Sequence, residues 1–201
     1  SAKFIPVPYV VSHPSWLIAE YLPKTSRTRL LYFRGHIPKP NIEHEQIRLK
    51  LVNSLKGQVD VEIESADTFP EASYLAHDLY LKKMTTSIFC LAPKGDTSSS
   101  KRMYEAIVAG CIPVIISDKL HLPFQRQLDW RQFSIRINES IILHQPKYVI
   151  EKLRKIPTEE IVAMQNYLQL HRSAFLWHND RTRLSAMHYI RHEICAWSNL
   201  V

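Results

Sequence analysis

The residues most suited to chemistry lie in the segment from Cys90 to Asp118, where a polar loop and a helical pattern separate two short apolar runs. Serines at positions 98 to 100 stand where the helical pattern begins, and lysine and arginine side chains flank them. An anion is favoured at such a helix start. Serine hydroxyls and the backbone N–H groups that lack an acceptor within the helix can donate hydrogen bonds to it, and the positive end of the helix dipole attracts it. The segment therefore predicts a phosphate site, formed by Lys94, Ser98, Ser99, Ser100 and Arg102.

A carboxylate follows this predicted phosphate site on the same face of the helix. Glu105 lies three residues beyond Arg102 and, at about 1.5 Å of rise per residue, roughly 9 Å along the helix axis from Ser99. A carboxylate accepts hydrogen bonds from both hydroxyls of a ribose, so the pattern matches a nucleoside diphosphate from its phosphates to its sugar. The spacing leaves an alternative open, in which the serines only cap the helix and Arg102 pairs with Glu105 on an exposed face.

The elements that would position these side chains follow an alternating pattern. Apolar strand-like runs occupy residues 30–33, 87–92 and 112–116, and segments with helical spacing separate them. Strands that are apolar throughout and alternate with helices predict an α/β fold, Rossmann-like, with a mainly parallel sheet covered by helices on both faces. Further strands are expected at residues 59–63 and 133–137, with helices at residues 47–55 and 74–85. In such sheets ligands bind at the carboxyl ends of the strands, where the predicted phosphate site lies.

The chain divides into three predicted parts. Residues 1–27 are proline-rich and are expected to form an extended lead-in, and residues 28–157 are expected to form the nucleotide-binding α/β domain. Residues 158–201 contain two amphipathic patterns, at positions 161–175 and 184–197. These C-terminal helices are expected to pack on the α/β domain or on a neighbour outside this chain.

The formal charge of +7 favours an anionic partner. The lysines and arginines are scattered and interleaved with carboxylates, which disfavours a nucleic-acid partner. No apolar run approaches the roughly 20 residues that cross a bilayer.

The three cysteines exclude a disulfide-rich scaffold. Buried free thiols are predicted for Cys90 and Cys111, with one disulfide between them as the alternative. The triplet that begins at Asn138 is an acceptor for N-glycosylation, which fits maturation in the secretory pathway. His188 and His192 are four residues apart, but no third ligand is identifiable, so no metal site is predicted.

The motifs around the predicted phosphate site closely resemble the exostosin family of inverting glycosyltransferases. The shared motifs are F-C-L-A-P-K-G-D at 89–96, S-S-K-R at 99–102, E-A-I-V-A-G-C-I-P-V-I at 105–115, and L-P-F with L-D-W between 122 and 130. The resemblance implies a GT-B architecture of two Rossmann-like domains, of which this chain covers the C-terminal, donor-binding domain. It also implies transfer of a sugar, with inversion, from a nucleotide-sugar donor to a polysaccharide or other glycan acceptor.

By position, the resemblance implies that the donor diphosphate is held by Arg34, Lys94, Ser99, Ser100 and Arg102. Glu105 would hold the ribose of a donor that is expected to be UDP-linked, and neither a metal nor another cofactor is expected. The catalytic base would come from an N-terminal acceptor-binding domain outside this chain, so this fragment alone is expected to be inactive. The implied location is the Golgi lumen, as part of a type II membrane protein whose anchor lies outside this chain.

Three positions depart from the usual motifs of the family. Ser98 stands where proline is common, Lys101 where a second arginine is common, and Gln125 where an acidic residue often follows L-P-F. The last departure bears on the choice of donor sugar or on activity.

Two other functions fit the sequence: a catalytically silent glycosyltransferase-like binding domain, and a basic module that binds nucleic acid or acidic glycan.

Overall fold

The computed structural model describes residues 4–11, 26–37, 46–65, 74–95, 97–178 and 184–198. The strands are β1 (Arg29–Gly35), β2 (Val61–Ser65), β3 (Ser87–Pro93), β4 (Ile112–Ile116) and β5 (Ile135–Arg136). The α-helices are α1 (Gln46–Leu55), α2 (Tyr74–Thr85), α3 (Lys101–Val108), α4 (Glu139–His144), α5 (Tyr148–Leu153), α6 (Thr158–His171) and α7 (Ala186–Ser198). Short 3-10 helices span Trp130–Gln132 and Arg172–Phe175.

The strands form one sheet in the order β2-β1-β3-β4-β5, and every neighbouring pair is parallel. Strands β3 and β4 lie inside the sheet and are buried along almost their whole length, because both of their faces are covered. The predicted α/β class with a parallel sheet is therefore confirmed. The strand order reverses between β1 and β3, and open α/β sheets bind ligands at the carboxyl ends of the strands beside such a reversal.

Helices cover both faces of the sheet, as the apolar strands predicted. On one face, Cys90 and Ala92 of β3 join a core with α2, α3 and the second 3-10 helix. On the other face, Phe89 and Leu91 join a core with α1, α4 and α5. Successive side chains of β3 thus point into opposite cores. Covering both faces of the sheet with helices therefore removes apolar side chains from water, which stabilises the fold.

Helices α1 and α2 match their predicted positions, and the positive φ of Gly57, 84°, follows the end of α1 as expected for a helix stop. Two predicted strands have other bounds than expected: β2 lies two residues further along the chain at the same length, and β5 is shorter. Strand β2 starts at Val61, because Val59 lies fully exposed in the preceding turn. Strand β5 comprises only Ile135 and Arg136, because Ser134 is still tied to the preceding 3-10 helix through a 2.6 Å bond from its hydroxyl to the Trp130 carbonyl.

The C-terminal segment packs on the α/β domain, mainly on the face of α2 and α3, while Met164 of α6 joins the core on the other face. Phe175 is almost fully buried, with ring centroids of Tyr104 and Phe124 at 6.2 and 6.1 Å. Tyr189 of α7 packs on Phe124 at 5.4 Å. Among the described residues, no helix combines the length and apolar character that crossing a membrane requires.

Residues 4–11, which belong to the predicted lead-in, form neither helix nor strand, and the ring of Tyr9 lies 5.7 Å from that of Tyr104. Most of the other residues of that lead-in lie outside the described residues. The division of the chain at residues 27 and 157 therefore stays a prediction.

Candidate functional site

The carboxyl ends of β1 and β3 bring two of the predicted site residues to the point where the strand order reverses. Arg34 lies near the end of β1, and Lys94 follows β3 directly. Arg48 of α1 joins the loops behind them, because its guanidinium donates to the carbonyls of His36 at 3.0 Å and Lys94 at 3.1 Å. Sequence reasoning missed Arg48, whose role depends on contacts between three separate elements.

Arg102 reaches from the first turn of α3 across the end of β1. Its Nε donates to the backbone carbonyl of Arg34, and its guanidinium carbon lies 4.7 Å from the centre of the Phe33 ring. Gly35 makes this position accessible, because a Cβ atom there would overlap the Arg102 guanidinium. Arg102 is therefore held against the main chain of Arg34, although the two residues are 68 apart in the chain.

Glu105 is buried one turn further along α3, with 6% of its surface exposed. One carboxylate oxygen accepts a 2.7 Å hydrogen bond from the Tyr80 hydroxyl, and the other lies 3.6 Å from the Lys101 ammonium. The exposed Arg102–Glu105 pair, which the spacing left open, is thus replaced by a buried carboxylate held by Tyr80 and Lys101.

Tyr80 of α2 contacts both Arg34 and Glu105. Its ring lies 5.6 Å from the guanidinium carbon of Arg34, and its hydroxyl donates to Glu105. Burial, together with the negative charge of Glu105, raises the pKa of Tyr80 well above its usual value. Tyr80 therefore stays protonated and remains a hydrogen-bond donor at any physiological pH.

Lys94 is paired with a carboxylate that sequence reasoning had considered only as part of the glycosylation triplet. Its ammonium lies 2.6 Å from Glu139, and the same carboxylate accepts from the Asp118 backbone N–H at 3.0 Å. Burial opposes the charge of Glu139, but the bonds from Lys94 and Asp118 outweigh it and lower the pKa of that carboxyl. The position of Glu139 in the first turn of a helix after β5, next to the end of β4, is the signal that could have identified it.

The three serines, at positions 98 to 100, lie directly before the first residue of α3. Ser100 is the N-cap residue, yet its side chain makes no capping hydrogen bond, so the interpretation of the serines as simple caps does not hold for it. The Ser98 carbonyl accepts a 2.7 Å bond from the Ser117 hydroxyl, which ties the serine loop to the end of β4. Ser98 and Ser99 also line a cavity of about 400 Å³ against Tyr9 of the lead-in.

A disulfide joins Cys90 to Cys111, with a Cα–Cα distance of 5.8 Å. The prediction of buried free thiols is therefore wrong, and its alternative is correct. Strand β3 pairs with β4 so that Cys90 faces Pro113, which brings Cys111, just before β4, within bonding distance. The bond closes a loop of 21 residues that contains the serines, Lys94, Arg102 and Glu105.

Among the ranges that the structure describes, no group of three or more histidine, cysteine, aspartate and glutamate residues is arranged to hold a metal ion.

The chain matches a known protein family over most of its length. Residues 2–153 match the family model described as the Exostosin GT47 domain. The chain belongs to this family. The family model thus includes β1 to β4 and every residue of the site described above.

Relatives of this exostosin domain are named as glycosyltransferases. The probable arabinosyltransferase ARAD1 of Arabidopsis thaliana is 34% identical over 88% of this chain. Exostosin-1 of Drosophila melanogaster is 40% identical over 45% of it, and the probable xyloglucan galactosyltransferase GT19 of Arabidopsis thaliana is 32% identical over 79% of it. The chain spans 38%, 11% and 40% of the lengths of these three relatives.

Among solved structures, that of TarM superposes on 89% of this chain and 36% of its own, at 11% sequence identity and a TM-score of 0.43.

Proposed function

We propose that this domain binds the nucleoside-diphosphate sugar, UDP-linked, from which a GT-B glycosyltransferase transfers a sugar with inversion to a polysaccharide or other glycan acceptor. The observation that carries the proposal is the cluster of Arg34, Arg102 and buried Glu105 at the reversal of the strand order. Two guanidinium groups match a diphosphate, and a carboxylate one turn further along the helix matches a ribose. Membership of the exostosin family and the names of its relatives support the same assignment.

The proposed reaction is a single displacement. An acceptor hydroxyl attacks the anomeric carbon, the bond from that carbon to the phosphate oxygen breaks, and its electron pair stays on the departing diphosphate. The hydroxyl proton passes to a base that we place in an N-terminal acceptor-binding domain outside this chain, so the fragment alone should not turn over. Arg34, Arg102 and the first N–H groups of α3 would stabilise the charge that develops on the diphosphate.

Lys94 would join these cations when the donor binds. Its ammonium is held by Glu139 at 2.6 Å, and exchange of this carboxylate for a phosphate oxygen would bring a further positive charge to the leaving group. With these cations in place, we propose that donor binding requires no metal.

Glu105→Gln is the substitution that tests the ribose assignment. Affinity for UDP should fall, by roughly 1 to 3 kcal/mol, because the amide accepts weaker hydrogen bonds from the two ribose hydroxyls. Affinity for pyrophosphate should hold or rise, because the carboxylate no longer repels it. Isothermal titration calorimetry in buffer that contains EDTA measures both.

A matched control is Glu193→Gln, since Glu193 on α7 is equally buried, with 6% of its surface exposed, but accepts its hydrogen bond from Gln127, outside the proposed site. It should leave both affinities unchanged. If Glu105→Gln changes the affinities for UDP and pyrophosphate in parallel, Glu105 does not bind ribose.

We also propose that the protein matures in the secretory pathway and acts in the Golgi lumen, as part of a type II membrane protein. The disulfide between Cys90 and Cys111 supports an oxidising compartment, since such bonds rarely persist in the cytosol. Asn138, the acceptor of the glycosylation triplet, is exposed.

Expression through a eukaryotic secretory pathway should therefore yield a chain that carries one N-glycan on Asn138. Digestion with peptide-N-glycosidase F should lower the mass of the wild type and leave Asn138→Gln unchanged, as read by intact mass spectrometry. A wild-type chain that is secreted at full yield without any glycan would contradict this prediction.

A further inference from the structure

We propose that Tyr80 is a positioning residue for the donor, which holds the Glu105 carboxylate in the orientation that accepts both ribose hydroxyls. The inference rests on the proposed function, because it presupposes that Glu105 contacts ribose. No motif of the sequence pointed to Tyr80, which lies in α2, 25 residues before Glu105.

The hydroxyl of Tyr80 is fixed by the packing of its ring, which contacts two other aromatic rings and Arg34. The side chain is buried, with 7% of the residue exposed, and its ring lies 6.1 Å from the Tyr32 ring and 5.8 Å from the His77 ring. On a third side the guanidinium carbon of Arg34 lies 5.6 Å from the ring centre. The ring therefore has little freedom to move, and its hydroxyl presents a donor at one defined point.

This fixed donor restricts how the Glu105 carboxylate can turn. The 2.7 Å bond from Tyr80 engages one carboxylate oxygen, and rotation about the bond to the carboxyl carbon would break it inside a buried environment. The other oxygen lies 3.6 Å from the ammonium of Lys101, whose side chain is 46% exposed. The Tyr80 hydroxyl thus holds one carboxylate oxygen from the side of the core. The position of the other oxygen is thereby set before the donor sugar nucleotide binds.

Tyr80 also couples the ribose contact to the diphosphate contact. The face of its ring attracts the Arg34 guanidinium, while its hydroxyl binds Glu105. A single rigid side chain therefore sets the relative placement of one phosphate ligand and the ribose ligand, which come from β1 and α3.

Tyr32 provides a matched control. Its ring neighbours that of Tyr80, and only 1% of the residue is exposed. Its hydroxyl, however, donates to Glu64 at 2.6 Å and not to Glu105. Tyr32→Phe and Tyr80→Phe each remove one buried hydroxyl that donates to a carboxylate. Only the second change touches the carboxylate of the proposed ribose site.

The experiment compares UDP with 2′-deoxyuridine diphosphate by calorimetry on the intact chain. The wild type should bind UDP about ten-fold more tightly, because the 2′-hydroxyl donates to a charged acceptor. Tyr80→Phe should reduce this preference to about three-fold or less, with pyrophosphate affinity within about two-fold of the wild type. Tyr32→Phe should retain the full preference, and Glu105→Gln should lose most of it.

The outcomes separate the inference from the proposed function. A wild type that binds no UDP overturns both. If Glu105→Gln loses the preference for UDP while Tyr80→Phe keeps it, the ribose site stands and the role of Tyr80 is overturned. Equal weakening of both nucleotides by Tyr80→Phe, at unchanged preference, identifies the hydroxyl as a packing element only and also overturns it. Thermal unfolding of each variant, with the Tm compared to the wild type, identifies loss of fold as the cause of any weakened binding.

Discussion

Arg102→Ala is expected to weaken binding of UDP at least about ten-fold, while the fold stays intact. A hydrogen bond between a guanidinium and a phosphate is charge-assisted and is worth about 1.5 to 3 kcal/mol, and each 1.4 kcal/mol is a factor of ten in affinity. The side chain lies over Gly35 and the Phe33 ring at the carboxyl end of β1 and belongs to neither core, so we expect both cores to stay packed without it. Isothermal titration calorimetry with UDP and thermal unfolding measure the two effects separately.

Arg131→Ala is the matched control for this prediction. Arg131 also carries a guanidinium, but it is exposed and forms a 2.9 Å ion pair with Asp129 beside the first 3-10 helix. Its removal lowers the net charge by the same amount and should leave UDP affinity within about two-fold of the wild type. If Arg102→Ala and Arg131→Ala weaken UDP binding equally, the effect is one of overall charge and Arg102 is not a phosphate ligand.

The second large effect is expected from loss of the disulfide. Substitution of Cys90 and Cys111 together by alanine should lower the free energy of unfolding by about 3 kcal/mol, since a crosslink that closes a loop of 21 residues restricts the unfolded chain by about that amount. Urea unfolding followed by circular dichroism measures the change. Reduction of the wild type by dithiothreitol should destabilise it by a similar amount.

Cys195→Ala separates the disulfide from a general effect of removing cysteine. Cys195 is exposed on α7 and is not disulfide-bonded, so its substitution should change the free energy of unfolding by less than about 0.5 kcal/mol. A double Cys90/Cys111 variant that is as stable as Cys195→Ala would show that the disulfide contributes nothing to stability.

The framework of the fold could be predicted because its signals are local. Residues 87–92 and 112–116 are apolar without interruption, a pattern that parallel strands covered on both faces require, and they correspond to β3 and β4. Helices α1 and α2 were predictable from apolar residues repeating with helical spacing. Strand β5 was predicted at residues 133–137, but its short length was not, because that length depends on how the preceding 3-10 helix holds Ser134.

The predicted site residues Arg34, Lys94, Arg102 and Glu105 do lie around one sheet reversal, but their partners could not be predicted. Tyr80 binds Glu105 from α2, and Glu139 pairs with Lys94 across 45 residues of chain. Such contacts depend on which helices pack side by side, and that information is absent from the spacing within one segment. The disulfide was undecided for the same reason, since the register of β3 against β4 brings its two cysteines together.

We propose that the residues around the carboxyl ends of β1 and β3, where the strand order reverses, bind a nucleoside diphosphate in preference to other anions. The most direct test is a calorimetric titration of the wild-type chain with UDP and with pyrophosphate, each at low and at physiological salt. We expect UDP to bind at least about ten-fold more tightly than pyrophosphate and to keep this preference at both salt concentrations, because Glu105 adds ribose contacts to the phosphate contacts. Equal affinity for the two ligands, falling steeply with salt as it does for basic modules that bind polyanions, would contradict it.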